Sequence, residues 1–333
     1  MPEPKEPKVI AAINAQRALL LAHEHDVMLA MFEKWQGVEE ALRADMLDLA
    51  MYLDELRTKG ETISTARLMQ MERYQTMVAD ARAQTAQYSR WAADNIADDQ
   101  RAALAQGVDD AQHLIEAAGL DARIAAVTFN RINVSAVDFM IGYAADGSPL
   151  YDLLRASYPE SVVSLTDALI QGLAKGTGPR ATAQVMAQSM AGNLDRALLI
   201  ARTEQLRALR AGNQEQFKES NVVKGYLRRS QRNATVCGAC LSLDDGVTIY
   251  PTDEVFASHP ADQCYMQPVL RFGKTPSFPT GPEWLETQPE SVQLSILGKG
   301  KFEAFKSGSL DWGNMAKIVH DPTWGDTIAQ GKG

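Results

Sequence analysis

Apolar positions in the first part of the chain recur every three to four residues. Met31, Trp35, Val38, Leu42, Met46, Leu49 and Leu53 form one series, in a stretch from Val9 to about Leu56 that lacks Pro and contains Gly37 as its one Gly. This is the stripe of an amphipathic helix, and Lys59-Gly60 supplies a stop signal. A second series, Tyr74, Val78, Ala81, Tyr88, Ala92 and Ile96, lies in a helix predicted from about Ser64 to Ala118, with Thr85 as its polar member and Asp98-Asp99 as a place where it can break. Two long helices in succession predict an antiparallel hairpin or coiled coil. Such a hairpin either buries its own stripes or offers them to a partner as a docking arm.

Gly119 ends this arm. The next block is helical but interrupted, first by the turn signal Asp146-Gly147-Ser148-Pro149. Leu165 to Ala174 reads as a helix closed by Lys175-Gly176-Thr177-Gly178-Pro179, a further helix runs through Met190, and another from Leu194 to about Glu219. After residue 220 the texture changes. Tyr226, Val247, Ile249 and Tyr250 sit in short β-compatible runs, and prolines fall at 251, 260, 268, 276, 279, 282 and 289. A small region this rich in loops needs a staple. Short helices resume around Glu283 to Leu297 and Phe302 to Lys306. The expected fold is mainly α with a small α+β C-terminal region. It is divided into a flexible lead-in (1–8), a long-helix arm (9–120), a helical middle domain (121–220) and a Cys/His region with C-terminal helices (221–333).

Composition narrows the function classes. Of 333 residues, 45% are hydrophobic and 23% charged, which fits a globular protein. The net charge of -9 argues against a general coat for duplex DNA, whose binding rests on phosphate neutralisation. The most apolar stretch, Val9 to Trp35, is interrupted by Arg17, His23, Glu24, His25, Asp26, Glu33 and Lys34, so no membrane span is predicted. No secretory signal is read at the start, and folding in a cytoplasm is expected.

The three cysteines lie close together: Cys237-x2-Cys240, then His259 after 18 residues, then Cys264 after four more. A CxxC turn points two sulfurs at one ion, and a His and a Cys from a second segment complete a tetrahedral shell. Four protein ligands of this type suit a structural zinc. Asp262 competes with His259 for the fourth position. Buried thiols without a metal are the other main reading. A CxxC redox site would want a βαβ setting, which the pattern lacks.

Between 200 and 235 the basic residues Arg202, Arg207, Arg210, Lys218, Lys224, Arg228, Arg229 and Arg232 outnumber Glu204, Glu215 and Glu219. Arg207 and Arg210 are helix-face neighbours and form a candidate contact face for DNA phosphates, for an acidic partner surface or for carboxylates of this chain. Arg202 falls on the apolar stripe with Leu199, Leu206 and Leu209, so it is expected half-buried against a carboxylate. Glu204 is expected to pair with Arg207 on the surface. There is no HExxH, Walker loop, GxSxG or dinucleotide fingerprint, and no catalytic residue or other cofactor is assigned.

The order of these pieces carries a resemblance. Arg202-Thr203-Glu204 is followed by Thr235-Val236-Cys237-Gly238-Ala239-Cys240, Leu243-Asp244-Asp245-Gly246, His259-Pro260, Cys264 and Pro268. It resembles the phage Mu F-like family of minor head proteins (phage head morphogenesis proteins) over roughly residues 125 to 325, including Gly172 to Gly178, Gly281 to Leu285 and Phe302 to Gly308. In two places the chain departs from the family pattern. Asp262 stands where the family commonly has a first cysteine after His-Pro, and Asn233-Ala234 stands where it commonly has an Asp. The resemblance implies a low-copy structural component of a virion head, assembled in the host cytoplasm. Its implied partners are the portal protein, the major capsid or scaffolding protein and, in the runner-up reading of a nucleic-acid-binding module, genomic DNA. It implies no catalytic activity.

Overall fold

A computed structural model describes residues 6–121, 138–144, 147–156 and 158–331. Most of the expected lead-in, Asp146 of the turn signal and the start of the middle block at 122–137 lie outside the described residues. Among the described residues, no helix is long and apolar enough to cross a membrane.

The chain is mainly helical, with two small antiparallel sheets near its C-terminal end. Helix α1 (Lys8–Thr58) runs without a break for 51 residues. It stops where the sequence says, and Gly60 takes the left-handed backbone (φ 82°) that such a stop favours. The helix expected from Ser64 is split in two. Ser64 caps α2 (Thr65–Gln70) by accepting from Arg67 N at 3.2 Å, then Met71 is extended (φ -72°, ψ 127°). Helix α3 (Glu72–Ala117) follows and continues through Asp98-Asp99. It survives there because both acids are paired: Asp98 with Arg101, and Asp99 with His23 Nε2 at 2.6 Å and Gln205 Nε2 at 3.2 Å.

The chain divides into two compact units, each discontinuous in sequence. The consecutive division at 120 and 220 does not match them, because α1, α3 and α7 (Gly192–Glu219) each contribute residues to both.

The first unit is His25–Ala97 with Ser148–Ala201. All members of the two apolar stripes are buried here, so the hairpin covers its own stripes. Trp35 meets Tyr88 edge to face at 5.0 Å. Thr85 sits in the stripe without penalty because its hydroxyl donates to Ala81 O at 2.7 Å. Helices α4 (Leu150–Arg155), α5 (Tyr158–Lys175) and α6 (Pro179–Gln188) complete this unit. The predicted Lys175–Pro179 loop separates α5 from α6, with Gly176 at φ 65° and Pro179 at the first helical position.

The second unit is Met1–Glu24, Asp98–Gly147 and Arg202–Gly333. Its core includes Ile13, Leu104, Leu114, Leu206, Phe217 and Tyr226. Here α3 and α7 touch backbone to backbone: a Cβ on Gly107 would lie 2.1 Å from Leu209 O, and one on Gly212 would lie 2.3 Å from Leu104 O. Strand β1 (Val223–Arg229) pairs antiparallel with β2 (Tyr265–Leu270), and Tyr226 also bridges to Tyr250. Between these strands in sequence lies the short helix α8 (Gly238–Leu243). Helix α9 (Gly281–Glu286) starts with a Thr280/Glu283 capping box. Helix α10 (Glu290–Lys306) is broken at Gly298 (φ 72°, ψ 163°), and the first short helix expected here, Glu283 to Leu297, is itself divided between α9 and α10. The hairpin of β3 (Ala316–Asp321) and β4 (Gly325–Gln330) was not expected. Its sequence signals were present in the Ile318-Val319 and Thr327-Ile328 pairs about a Pro322/Gly325 turn, but each strand is only six residues long.

Candidate metal centre and the arginine network around it

Two segments bring the thiols together. Cys237 is the N-cap of α8, and Cys240 lies one turn in, so the CxxC spacing sets both sulfurs on one side of a helix start. Gly238 between them leaves room for the ends of two side chains, since a Cβ there would meet Gln330 Nε2 at 2.4 Å and Met315 Cε at 2.8 Å. The β3–β4 hairpin therefore packs directly on the CxxC turn. The second segment runs from His259 to Cys264, just before β2. Ala261 within it has a left-handed backbone (φ 56°), which an L-residue adopts at a cost. Its N–H donates to Thr203 Oγ1 of α7 at 3.1 Å, so the Arg-Thr-Glu helix holds this turn in place.

Cys237, Cys240, His259, Asp262 and Cys264 lie close enough to hold a metal ion. Their donor atoms form two overlapping triplets, Cys237/Cys240/His259 and Cys240/Asp262/Cys264, each with all atoms within 4.8 Å of one another. Cys240 is common to both. It lies 3.3 Å from His259 Nε2 and is buried, as are Asp262 and Cys264. All three cysteines are free thiols.

The electrostatics suit thiolate ligation. The hydrogen bond from Cys240 brings the Cys237 thiol down to about 4, with His259 assisting, and the thiolate is the form that ligates a metal. Cys240 is pushed up by its hydrogen bonds with Cys237 and Cys264 and by burial. Burial pulls His259 down, but its bond to Cys237, the Asp262 charge and the Pro260 carbonyl outweigh this and raise it. His259 Nδ1 faces Pro260 O at 2.9 Å. A carbonyl only accepts, so Nδ1 carries the proton and Nε2 is left for the cluster, as in ligating histidines.

Asp262 is engaged differently. Its Oδ1 accepts from Cys264 N at 2.8 Å, and the Arg210 and Arg228 guanidiniums stand 3.8 and 3.7 Å from its carboxylate. Burial would raise this carboxyl, but Arg210, Arg228 and His259 outweigh it and hold it below the usual range. Its Oδ2 accepts no hydrogen bond.

Arg210 and Arg228 are themselves buried against the Phe256 ring, with guanidinium carbons 4.8 and 3.8 Å from its centroid. Arg210 also donates to Cys264 O at 3.0 Å and to Asp262 O. A second buried acid anchors Arg229 and Arg232. Asp244 accepts from Arg229 at 2.8 Å, Arg232 at 2.9 Å, and the Ser230 hydroxyl and N–H at 2.8 and 3.2 Å. Removing one member of such a buried pair costs about 3–5 kcal/mol, since it strands the remaining charge.

These positions decide one expectation and correct another. Of the three occupants expected for the Arg207/Arg210 face, carboxylates of this chain are the ones it meets. Arg210 is buried, and Arg207 donates to Glu204 at 2.6 Å and to Tyr143 O at 2.5 Å. Glu204 is fully buried and also accepts from Gln100 at 3.0 Å, so its pair with Arg207 is not a surface pair. The helix-wheel placement was right in angle but took that side of α7 for solvent, whereas α3 covers it. Arg202 behaves as expected, half-buried and paired with Glu24. Thr203 and Asp244 stand in the motif series and Arg228 in the basic run, but their partners, and that of Glu24, were not legible there. The available signal was the local positive excess itself, which needs counter-charges from elsewhere in an acidic chain. No protein-family model, curated protein or solved structure matches this chain.

Proposed function

We propose that this chain is a structural minor head protein of a tailed phage, which docks at the portal vertex and acts in head assembly or DNA packaging. The observation that carries this reading is where the residues of the motif series lie. Thr203, Cys237, Cys240, His259 and Cys264 come from three separate segments, yet Thr203 holds the Ala261 N–H of the turn that brings His259 and Cys264 to the CxxC pair. Cys240, Cys264 and the neighbouring Asp262 and Arg210 are sealed from solvent, which suits a scaffold for the surrounding helices better than a reaction centre. The portal protein is the expected partner, with the major capsid or scaffolding protein as further contacts.

The metal belongs to the same proposal. Cys237, Cys240, His259 and Cys264 would hold one structural zinc, with Asp262 serving Arg210 and Arg228 as counter-charge. The Nδ1–Pro260 bond and the two guanidiniums on Asp262 support His259 over Asp262 as the fourth ligand. The nucleic-acid reading loses its motivation in the 200–235 segment. Among its eight basic residues, Lys224 is the one that is exposed and has no carboxylate partner among the described residues.

The portal assignment is tested by co-sedimentation of the full chain with portal rings of the phage that encodes it, alongside mass spectrometry of purified virions. Retention on the rings and presence in the head are expected. A chain absent from virions that binds neither portal, capsid nor scaffolding protein would overturn the proposal.

A further inference from the structure

Two clefts in the unit formed by His25–Ala97 and Ser148–Ala201 carry opposite charge. The first, of about 620 Å³, is lined by Arg82, Arg90, Arg155 and Tyr151 over the small residues Ala83 and Ala86. The Arg90 and Arg155 guanidiniums stand 5.6 and 5.9 Å from the Tyr151 ring centroid. All three arginines are exposed, and among the described residues none forms an ion pair. In a chain of net charge -9 with carboxylates to spare, three unpaired guanidiniums around one cleft call for an anionic occupant.

The second cleft, of about 420 Å³, is lined by Asp45, Asp48, Glu72 and Asp80, with Arg73 as its single base. Arg73 is held by Asp48 at 3.0 Å and by the Tyr52 ring, which leaves a surplus of three negative charges. These acids repel one another: burial and the charges of Asp80 and Asp48 push the Asp45 carboxyl up. The exposed Met51 lies three residues after Asp48 on α1 and adds apolar surface beside them.

Both clefts are built on α3, one around Glu72 and Asp80, the other around Arg82 and Arg90. Both open from one continuous helix, so neither can turn to face the other within a copy. One copy therefore cannot join its own two clefts. A phosphate backbone would satisfy the arginines but leave the acids unpaired. A second copy satisfies both, because a head-to-tail contact uses two different patches. We propose that the Arg82/Arg90/Arg155 cleft of one copy engages the Asp45/Asp48/Glu72/Asp80 cleft of a second copy of this chain, so that copies associate head to tail. The proposal stands apart from the reading of the metal knot, which lies in the other unit.

The test is light scattering and sedimentation velocity of the full chain, at low salt and at ~1 M, where charge contacts are screened within a few ångströms. Two neutralised variants are compared: Arg82→Gln/Arg90→Gln/Arg155→Gln and Asp45→Asn/Asp48→Asn/Asp80→Asn. All six positions are exposed, so unchanged circular dichroism is expected. The native chain is expected to assemble at low salt and dissociate at high salt. Each variant alone is expected to be monomeric, and their equimolar mixture to stop at a dimer. The single changes Arg90→Gln and Asp80→Asn would shift assembly in the same direction by a smaller amount. A native chain that stays monomeric at low salt, or variants that assemble as the native chain does, would overturn the proposal. Arginine-dependent binding of duplex DNA by a monomeric chain would overturn it in favour of a nucleic-acid cleft.

Discussion

Asp110 shows how one side chain sets a pH response. Its Oδ2 accepts no hydrogen bond, and burial raises its carboxyl to about 6, with Gln106 and His113 opposing and Asp109 adding. Because the folded-state value lies above the unfolded one, this group favours the fold at low pH, and the benefit disappears as pH rises from about 4 to about 6. Asp99 acts in the same sense, raised to about 6 by burial against the pull of His23. Asp110→Asn removes one of these two contributions. Urea unfolding across pH 4 to 7 is expected to show the variant gaining on the native chain through that window, then running parallel above it. A constant difference at every pH would contradict this origin. Periodicity placed both acids on a helix but could not show that they would be buried, because that depends on what the second unit packs against α3.

At the scale of elements, the long helices were legible because each writes its stripe many times. Met31 to Leu53 and Tyr74 to Ile96 are buried as their spacing demands, and the Gly60 and Gly176 stops fall where the sequence puts them. Short elements were less legible. Met71 breaks a helix without Gly or Pro, and the β3–β4 hairpin is held by packing on α8 and not by a strong alternation of its own. Glycines inside helices read alike in the sequence yet differ in the fold. Gly107 and Gly212 are points of backbone contact between α3 and α7, while Gly37 in α1 has nothing near its missing Cβ. Gly107→Ala or Gly212→Ala is expected to destabilise by about 1–3 kcal/mol through overpacking. Gly37→Ala is expected to stabilise by about 0.5–1 kcal/mol through helix propensity. Chemical denaturation of the three variants checks the opposite signs, and a gain at Gly107 would show that the helices part easily.

For the whole molecule, the Cys, His and Asp residues picked out along the chain lie together, close enough to hold a metal ion, whereas the surroundings of the basic run were not foreseen. The Cys and His positions were legible because they cluster in sequence as well as in space. The fate of Arg210, Arg228 and Arg229 was not, because their counter-charges Asp262 and Asp244 lie up to 52 residues away. A staple that closes the loop-rich region would tie α7, α8 and β2 to one point, and Cys240 is its most informative member, since it belongs to both donor triplets. The decisive measurement is elemental analysis of the purified full chain beside Cys240→Ser. About one zinc per chain is expected, lost in the variant together with much of its stability. A fully folded chain without bound metal would contradict the zinc knot.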